Sequence, residues 1–159
     1  MAIEIERKYE VKLHLWEKVR PQECLHIRQA YLSSDNATTV RIRTSNRNAY
    51  ITIKGKTIHL SRPEFEYPIP YDDALQLMQL STLSIVEKNR YEYMYKGKKW
   101  EVDEFLGSNK GLIVAEIELE QEGELFSIPE FIGEEQTADP RFRNSNLAKT
   151  PYETWQNRS

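Results

Sequence analysis

The chain has 159 residues, 39% hydrophobic and 30% charged, which suits one domain over 1–159 able to bury roughly 70% of its unfolded surface. Its 22 Lys and Arg against 25 Asp and Glu leave a net charge of −3, so bulk charge draws it to neither nucleic acid nor an acidic membrane, and neither is expected as a partner. Cys24 is the only cysteine, the charged start from Met1 to Glu10 lacks a signal's apolar core, and no apolar run nears the ~20 residues that span a bilayer; a cytoplasmic protein is expected.

Alternation with period two dominates the first two-thirds of the chain and predicts eight strands. They fall at roughly 3–11, 25–34, 38–46, 49–55, 62–69, 84–96, 98–106 and 112–121. A short helix is expected at 13–20, after the first strand. The turns Ser45-Asn46-Arg47-Asn48 and Lys96-Gly97-Lys98 are short enough to require antiparallel neighbours. Between the fifth and sixth strands, Asp72 to Leu80 reads as a helix capped by Asp72 or Asp73, with Ala74, Leu75 and Met78 as its apolar stripe. After residue 122 the pattern weakens around Pro129, Gly133 and Pro140, and Asn144 to Lys149 reads as one helical turn. That tail has two roles the sequence does not separate: closing one mouth of a tunnel, or packing against a second subunit in a homodimer.

The polar faces of these strands are almost entirely ionic. In chain order they present Glu4, Glu6 and Lys8; Arg41 and Arg43; Thr52 and Lys54; Arg62, Glu64 and Glu66; Lys88 and Arg90; Glu101 and Asp103; and Glu116, Glu118 and Glu120. Like charges two residues apart on one face lie about 6.6 Å apart and repel. Such faces either meet solvent, where repulsion is screened, or converge on a lumen in which basic strands hold an anion and acidic strands a metal. Segregation by sign favours a lumen, because Arg41, Arg43 and Lys54 on adjacent strands are a poor choice without an anion among them. Glu4, Glu6, Glu116 and Glu118 offer hard oxygen ligands suited to Mg²⁺ or Mn²⁺. Eight antiparallel strands suffice to close a barrel around a small ligand. Spacing alone leaves both readings open.

Residue identities add to this. Glu4-Ile5-Glu6-Arg7-Lys8 resembles the ExExK signature of the CYTH family, the triphosphate tunnel metalloenzymes. Further landmarks follow in order: Gln29-Ala30-Tyr31-Leu32, Arg41-Ile42-Arg43, Thr52-Ile53-Lys54-Gly55, Arg62-Pro63-Glu64-Phe65-Glu66, Lys88-Asn89-Arg90, Trp100 to Phe105 and Ala115 to Leu119. Asp139 to Ala148 resembles the family's C-terminal landmark, so the resemblance covers about residues 2–148. It implies a closed eight-stranded antiparallel β-barrel forming a hydrophilic tunnel, all-β dominated with a few short helices outside. It also implies action on a triphosphate with Mg²⁺ or Mn²⁺. The opening motif and compact length are similar to the small bacterial branch that cleaves inorganic tripolyphosphate to pyrophosphate and phosphate.

On that resemblance, Arg41, Arg43, Lys54, Lys88 and Arg90 are assigned to phosphate oxygens, and Glu4, Glu6, Glu116 and Glu118 to the metal. Glu64, Glu66 and Asp103 are second choices for metal or for bracing, and Arg62 is a brace of the same kind. Water is the expected nucleophile. Lys8 is the candidate general base with Tyr31 as partner, which favours alkaline activity. A class IV-type adenylate cyclase and a thiamine triphosphatase, with Trp16 or Trp100 as an aromatic platform, are the enzymatic alternatives. A polyphosphate- or nucleotide-binding module is the non-enzymatic one, although it has little use for the Glu4, Glu6 and Lys8 set. His14, His26 and His59 lack zinc spacing, no Ser-His-Asp constellation appears, and Asn144 and Asn146 read as caps of the terminal turn.

Overall fold

The computed structural model describes residues 3–35 and 37–155. Nine strands form one antiparallel sheet: β1 (Ile3–Val11), β2 (Leu25–Ser34), β3 (Thr39–Ser45), β4 (Asn48–Lys54), β5 (Ser61–Pro68), β6 (Val86–Tyr95), β7 (Lys98–Phe105), β8 (Ile113–Glu118) and β9 (Ile132–Glu135). The order β5-β4-β3-β2-β6-β7-β8-β1 closes on itself because β1 also pairs with β5, setting Glu4 opposite Arg62. The result is a closed eight-stranded barrel. Tight hairpins fix its registers: in the β6–β7 turn both central residues, Lys96 and Gly97, take positive φ (46° and 81°), the geometry whose twist matches the flanking strands.

Period-two alternation then decides which way each side chain points. Ionic residues face the lumen, and most apolar ones face outward, many of them beneath helices while Phe65 and Tyr67 stay exposed. On one flank Trp16 of α1 (Leu13–Val19) packs with Tyr91, Trp100, Val102, Ile117 and Phe131. On the other, Ala74 and Met78 of α2 (Tyr71–Met78) cover Ala30, Ile42 and Ala49. A third cluster lies inside. Val86, Phe105 and Val114 share strand faces with Lys88, Asp103 and Glu116, and they meet Phe142, just before α3 (Asn144–Lys149), and Leu147 and Ala148 within it. Apolar packing thus fills one end of the barrel, leaving the ionic cavity above it.

Several expectations change. Leu75 is 37% exposed, and Leu77 packs under α2 instead, since the i, i+3, i+4 stripe from Ala74 runs through Leu77 and Met78. Asp72 and Asp73 lie in the first turn of α2 with Pro70 at its N-cap, so neither is the cap. The tail adds β9, which pairs with Tyr9 and Val11 of β1, and it supplies the apolar plug. Among the described residues, no helix is long and apolar enough to cross a membrane.

Candidate active site

The barrel encloses a cavity of about 200 Å³. β1 contributes Glu4, Glu6 and Lys8; β2 Tyr31; β3 Thr39, Arg41 and Arg43; β4 Lys54; β5 Arg62, Glu64 and Glu66; β6 Lys88 and Arg90; β7 Glu101; and β8 Glu116 and Glu118. Arg143, Asn144 and Ser145 complete the lining from the tail. Eight cationic and seven acidic side chains therefore share one small space. Of the site residues named from sequence, only Asp103 does not line it.

Asp103 lies completely buried beneath the cavity, where Arg90 Nε and Nη2 donate to its two oxygens at 2.8 and 2.9 Å and Lys88 Nζ approaches to 2.8 Å. Burial opposes its ionisation, but Arg90 and Lys88 outweigh burial and hold the carboxyl well below its usual range. It braces two cations. Lys88 is pushed down to about 7 by its own burial, with Arg90 and Arg43 adding to the effect and Asp103 opposing it. Glu4 is the second brace, receiving Lys54 Nζ at 3.1 Å and Arg62 Nε at 3.2 Å. Burial works against its charge too, yet Lys54 and Arg62 hold it at about 2. Glu66 accepts from Thr52 at 2.8 Å and Arg41 at 3.4 Å, and Glu64 lies 3.4 Å from Lys54.

What remains unpaired indicates what the cavity lacks. Arg41 Nε is buried without a hydrogen-bond partner among the described residues. Among the described residues Arg43 has only a neutral hydrogen-bond partner, Gln29 Oε1 at 2.7 Å, and burial, with Arg41 and Arg90 close by, lowers it to about 9. A buried cation facing other cations costs free energy until an anion joins it. On the acidic side, β1–β8 register places Glu6 directly opposite Glu118, a repulsive pair. Burial pushes Glu6 up to about 8, and Glu116 and Glu4 add to the shift. Lys8 beside it lies with Nζ 3.8 Å from Glu6 and 3.5 Å from the Phe142 carbonyl.

The CYTH domain family matches residues 2–151. The chain belongs to that family. A protein from Acetivibrio thermocellus named inorganic triphosphatase is 42% identical over 156 residues, 98% of this chain and 99% of its own length. A second protein of that name, from Nitrosomonas europaea, is 32% identical over 152 residues, 91% and 96% of the two chains. A crystal structure of an inorganic triphosphatase superposes with a TM-score of 0.64 at 29% identity, covering 91% of this chain and 96% of the other.

The donor set of this CYTH barrel fits a divalent cation. Glu6, Glu116, Glu118 and Glu4 are hard oxygen ligands, and burial, with Glu116 and Glu4 adding to it, holds the Glu6 carboxyl above its usual range, a shift that a nearby cation would oppose. Among the described residues, no group of three or more His, Cys, Asp or Glu side chains is already gathered tightly enough to hold a metal, and Glu4 is engaged by Lys54 and Arg62. Three residues escaped sequence reasoning. Asn144 is no cap: its Oδ1 accepts from Lys88 at 2.8 Å and from Gln29 at 3.2 Å, while α3 starts from Arg143 without a side-chain cap. Gln29 is fully buried and also donates to the Tyr31 hydroxyl at 3.1 Å. Arg143 lines the cavity with no side-chain partner among the described residues. None of the three sits in a charge pattern that would have drawn notice, although all lie within the family's landmark segments. Trp16 and Trp100, considered as platforms for thiamine, pack on the outside of the barrel.

Proposed function

We propose that this chain hydrolyses inorganic tripolyphosphate to pyrophosphate and phosphate with Mg²⁺ or Mn²⁺ inside the barrel, in a reducing, cytoplasmic setting that suits a lone exposed Cys24. The observation that carries the reading is the near balance of eight cationic and seven acidic side chains around one cavity, with Arg41 Nε and Arg43 lacking an anion. A polyanion alone would upset that balance on the acidic side, and a cation alone on the basic side. The cation offsets part of the polyanion's charge, so together they disturb the balance less than the polyanion alone. The names of the two relatives support inorganic triphosphate over a nucleotide, and the outward packing of both tryptophans removes the support for thiamine triphosphate.

Arg41, Arg43, Lys54, Lys88 and Arg90 bind the phosphate oxygens, the arginines through planar forks and the lysines as point charges. Asp103 orients Lys88 and Arg90 toward the lumen, and Glu66 and Glu64 do the same for Arg41 and Lys54. Glu4, Glu6, Glu116 and Glu118 would hold the divalent cation, which would supply charge neutralisation to the phosphoryl oxygens and activation of water. Lys8, on the same strand face as Glu4 and Glu6, accepts the proton of the attacking water, and Tyr31 orients that water. The water oxygen bonds to a terminal phosphorus as the bridging P–O bond breaks, and pyrophosphate leaves. The test is a product analysis with tripolyphosphate, ATP and thiamine triphosphate, each with Mg²⁺ or Mn²⁺. Phosphate and pyrophosphate from tripolyphosphate, at the highest kcat/KM of the three, is the expected result. Cyclic AMP from ATP, or preference for thiamine triphosphate, would overturn it.

A further inference from the structure

Among the described residues, Lys54, Lys88, Arg41 and Arg90 each lie within 3.4 Å of a carboxylate oxygen. Arg43 differs, for its Nε donates only to the neutral amide of Gln29 on β2. Gln29 is fully buried and lies directly across from Arg43 in the β2–β3 register. Its Oε1 accepts from Arg43 Nε at 2.7 Å, and its Nε2 donates to the Tyr31 hydroxyl at 3.1 Å and to Asn144 Oδ1 at 3.2 Å. That same Oδ1 accepts from Lys88 Nζ at 2.8 Å. Two amides thus connect a cation of β3 to a cation of β6, across β2, through the first residue of α3. Neither a guanidinium nor an ammonium accepts a hydrogen bond, so the cation at each end fixes which way its amide points. Gln29 must turn its oxygen to Arg43 and Asn144 its oxygen to Lys88, and the Gln29 N–H groups then face the remaining acceptors.

We infer that Gln29 and Asn144 are positioning residues that aim Arg43 and Lys88 at the substrate without neutralising them. The inference rests on the tunnel being the triphosphate site. A carboxylate brace such as Asp103 orients a cation and offsets its charge, whereas an amide orients it and leaves the charge whole. Gln29 engages Arg43 through Nε alone, so both Nη groups, which have no partner among the described residues, are left to grip two phosphoryl oxygens as a fork. Lys88 gives one N–H to Asn144 and lies 2.8 Å from Asp103, which leaves a third for a phosphoryl oxygen. Because Asn144 opens α3, the connection between the two cations closes only when that helix is seated.

The test reads KM and kcat for tripolyphosphate, with Tm as the measure of folding. Gln29→Leu and Asn144→Leu each break the connection, and each should raise KM at least fivefold with a smaller change in kcat. Combined, they should raise KM no more than about twofold beyond the worse single variant, because either change already removes the same coupling. A combined effect equal to the product of the two, or KM within twofold of wild type in both single variants, would overturn the inference. Gln29→Glu, nearly the same size, covers the case in which leucine does not fold there. Its carboxylate still accepts from Arg43, so a purely structural Gln29 predicts an unchanged KM. The inference predicts a rise of at least tenfold with Tm undiminished, and a KM within twofold of wild type would overturn it. Absence of tripolyphosphate turnover in wild type would instead strike the triphosphate reading, a different outcome.

Discussion

Glu6 shows how burial and like-charged neighbours act on a single side chain. Its carboxyl titrates near 4.5 in an ordinary setting and near 8 in the folded protein. Between those values the folded chain binds the proton more tightly than the unfolded chain, so stability falls as pH rises from about 4.5 to about 8. Lys88, lowered to about 7 from 10.5, acts in the opposite sense, since rising pH between those two values favours the fold. The interval from pH 5 to 7 therefore exposes the Glu6 effect unopposed by Lys88. Metal-free wild-type protein should lose roughly 3 °C of Tm per pH unit there relative to Glu6→Gln. Parallel Tm profiles of the two proteins would show that Glu6 is not under this pressure. Added Mg²⁺ should stabilise wild type more at pH 8 than at pH 6, because the cation needs the ionised carboxylate. Residues of this kind were legible because like charges recur every second position. Gln29, Asn144 and Arg143 were not, since a neutral amide or a solitary arginine carries no pattern until the chain is folded.

At the scale of elements, the strands were legible and their covers only partly so. All eight barrel strands follow from alternation, with ends within two residues except at the C-terminal end of β8, expected near residue 121 and found at Glu118. β9 was missed for a physical reason: four residues containing Gly133 have little strand character of their own, and they pair only because β1 leaves an edge free at Tyr9 and Val11. The helices were placed correctly, but the face of α2 was misjudged at Leu75. α1 is the cover most dependent on one residue. Trp16 is fully buried, meets Tyr91, Tyr93 and Phe131 edge-on or tilted, and donates from Nε1 to Glu104 at 2.8 Å. Trp16→Ala should cost about 3–5 kcal/mol in urea unfolding. A loss under 1 kcal/mol would mean that α1 is dispensable to the outer core. The side chain lies outside the tunnel, so KM for tripolyphosphate in the folded fraction should stay unchanged.

The whole molecule inverts the usual arrangement of a small barrel. Its hydrophobic effect operates outside, between strands and helices, and at one plugged end. Its interior is given over to ion pairs, whose burial is costly unless each charge is matched. The sequence carried the charges and their signs but not the direction they face; an alternating strand is equally consistent with ions in a lumen or in solvent. Closure by the β1–β5 pair, together with helices covering much of the apolar outer face, decides between the two. The tail's role was also hidden, because Phe142, Leu147 and Ala148 are apolar residues of a short turn and a short helix whose destination only the folded chain reveals. An interior so nearly neutral should bind its anion and its cation as a unit, and chemistry should need both. Release of phosphate from tripolyphosphate by the wild-type protein, measured with excess Mg²⁺ and again with excess EDTA, tests this most directly. The expected outcome is rapid hydrolysis with the cation and a rate at least a hundredfold lower with the chelator; equal rates in the two solutions, or none in either, would contradict it.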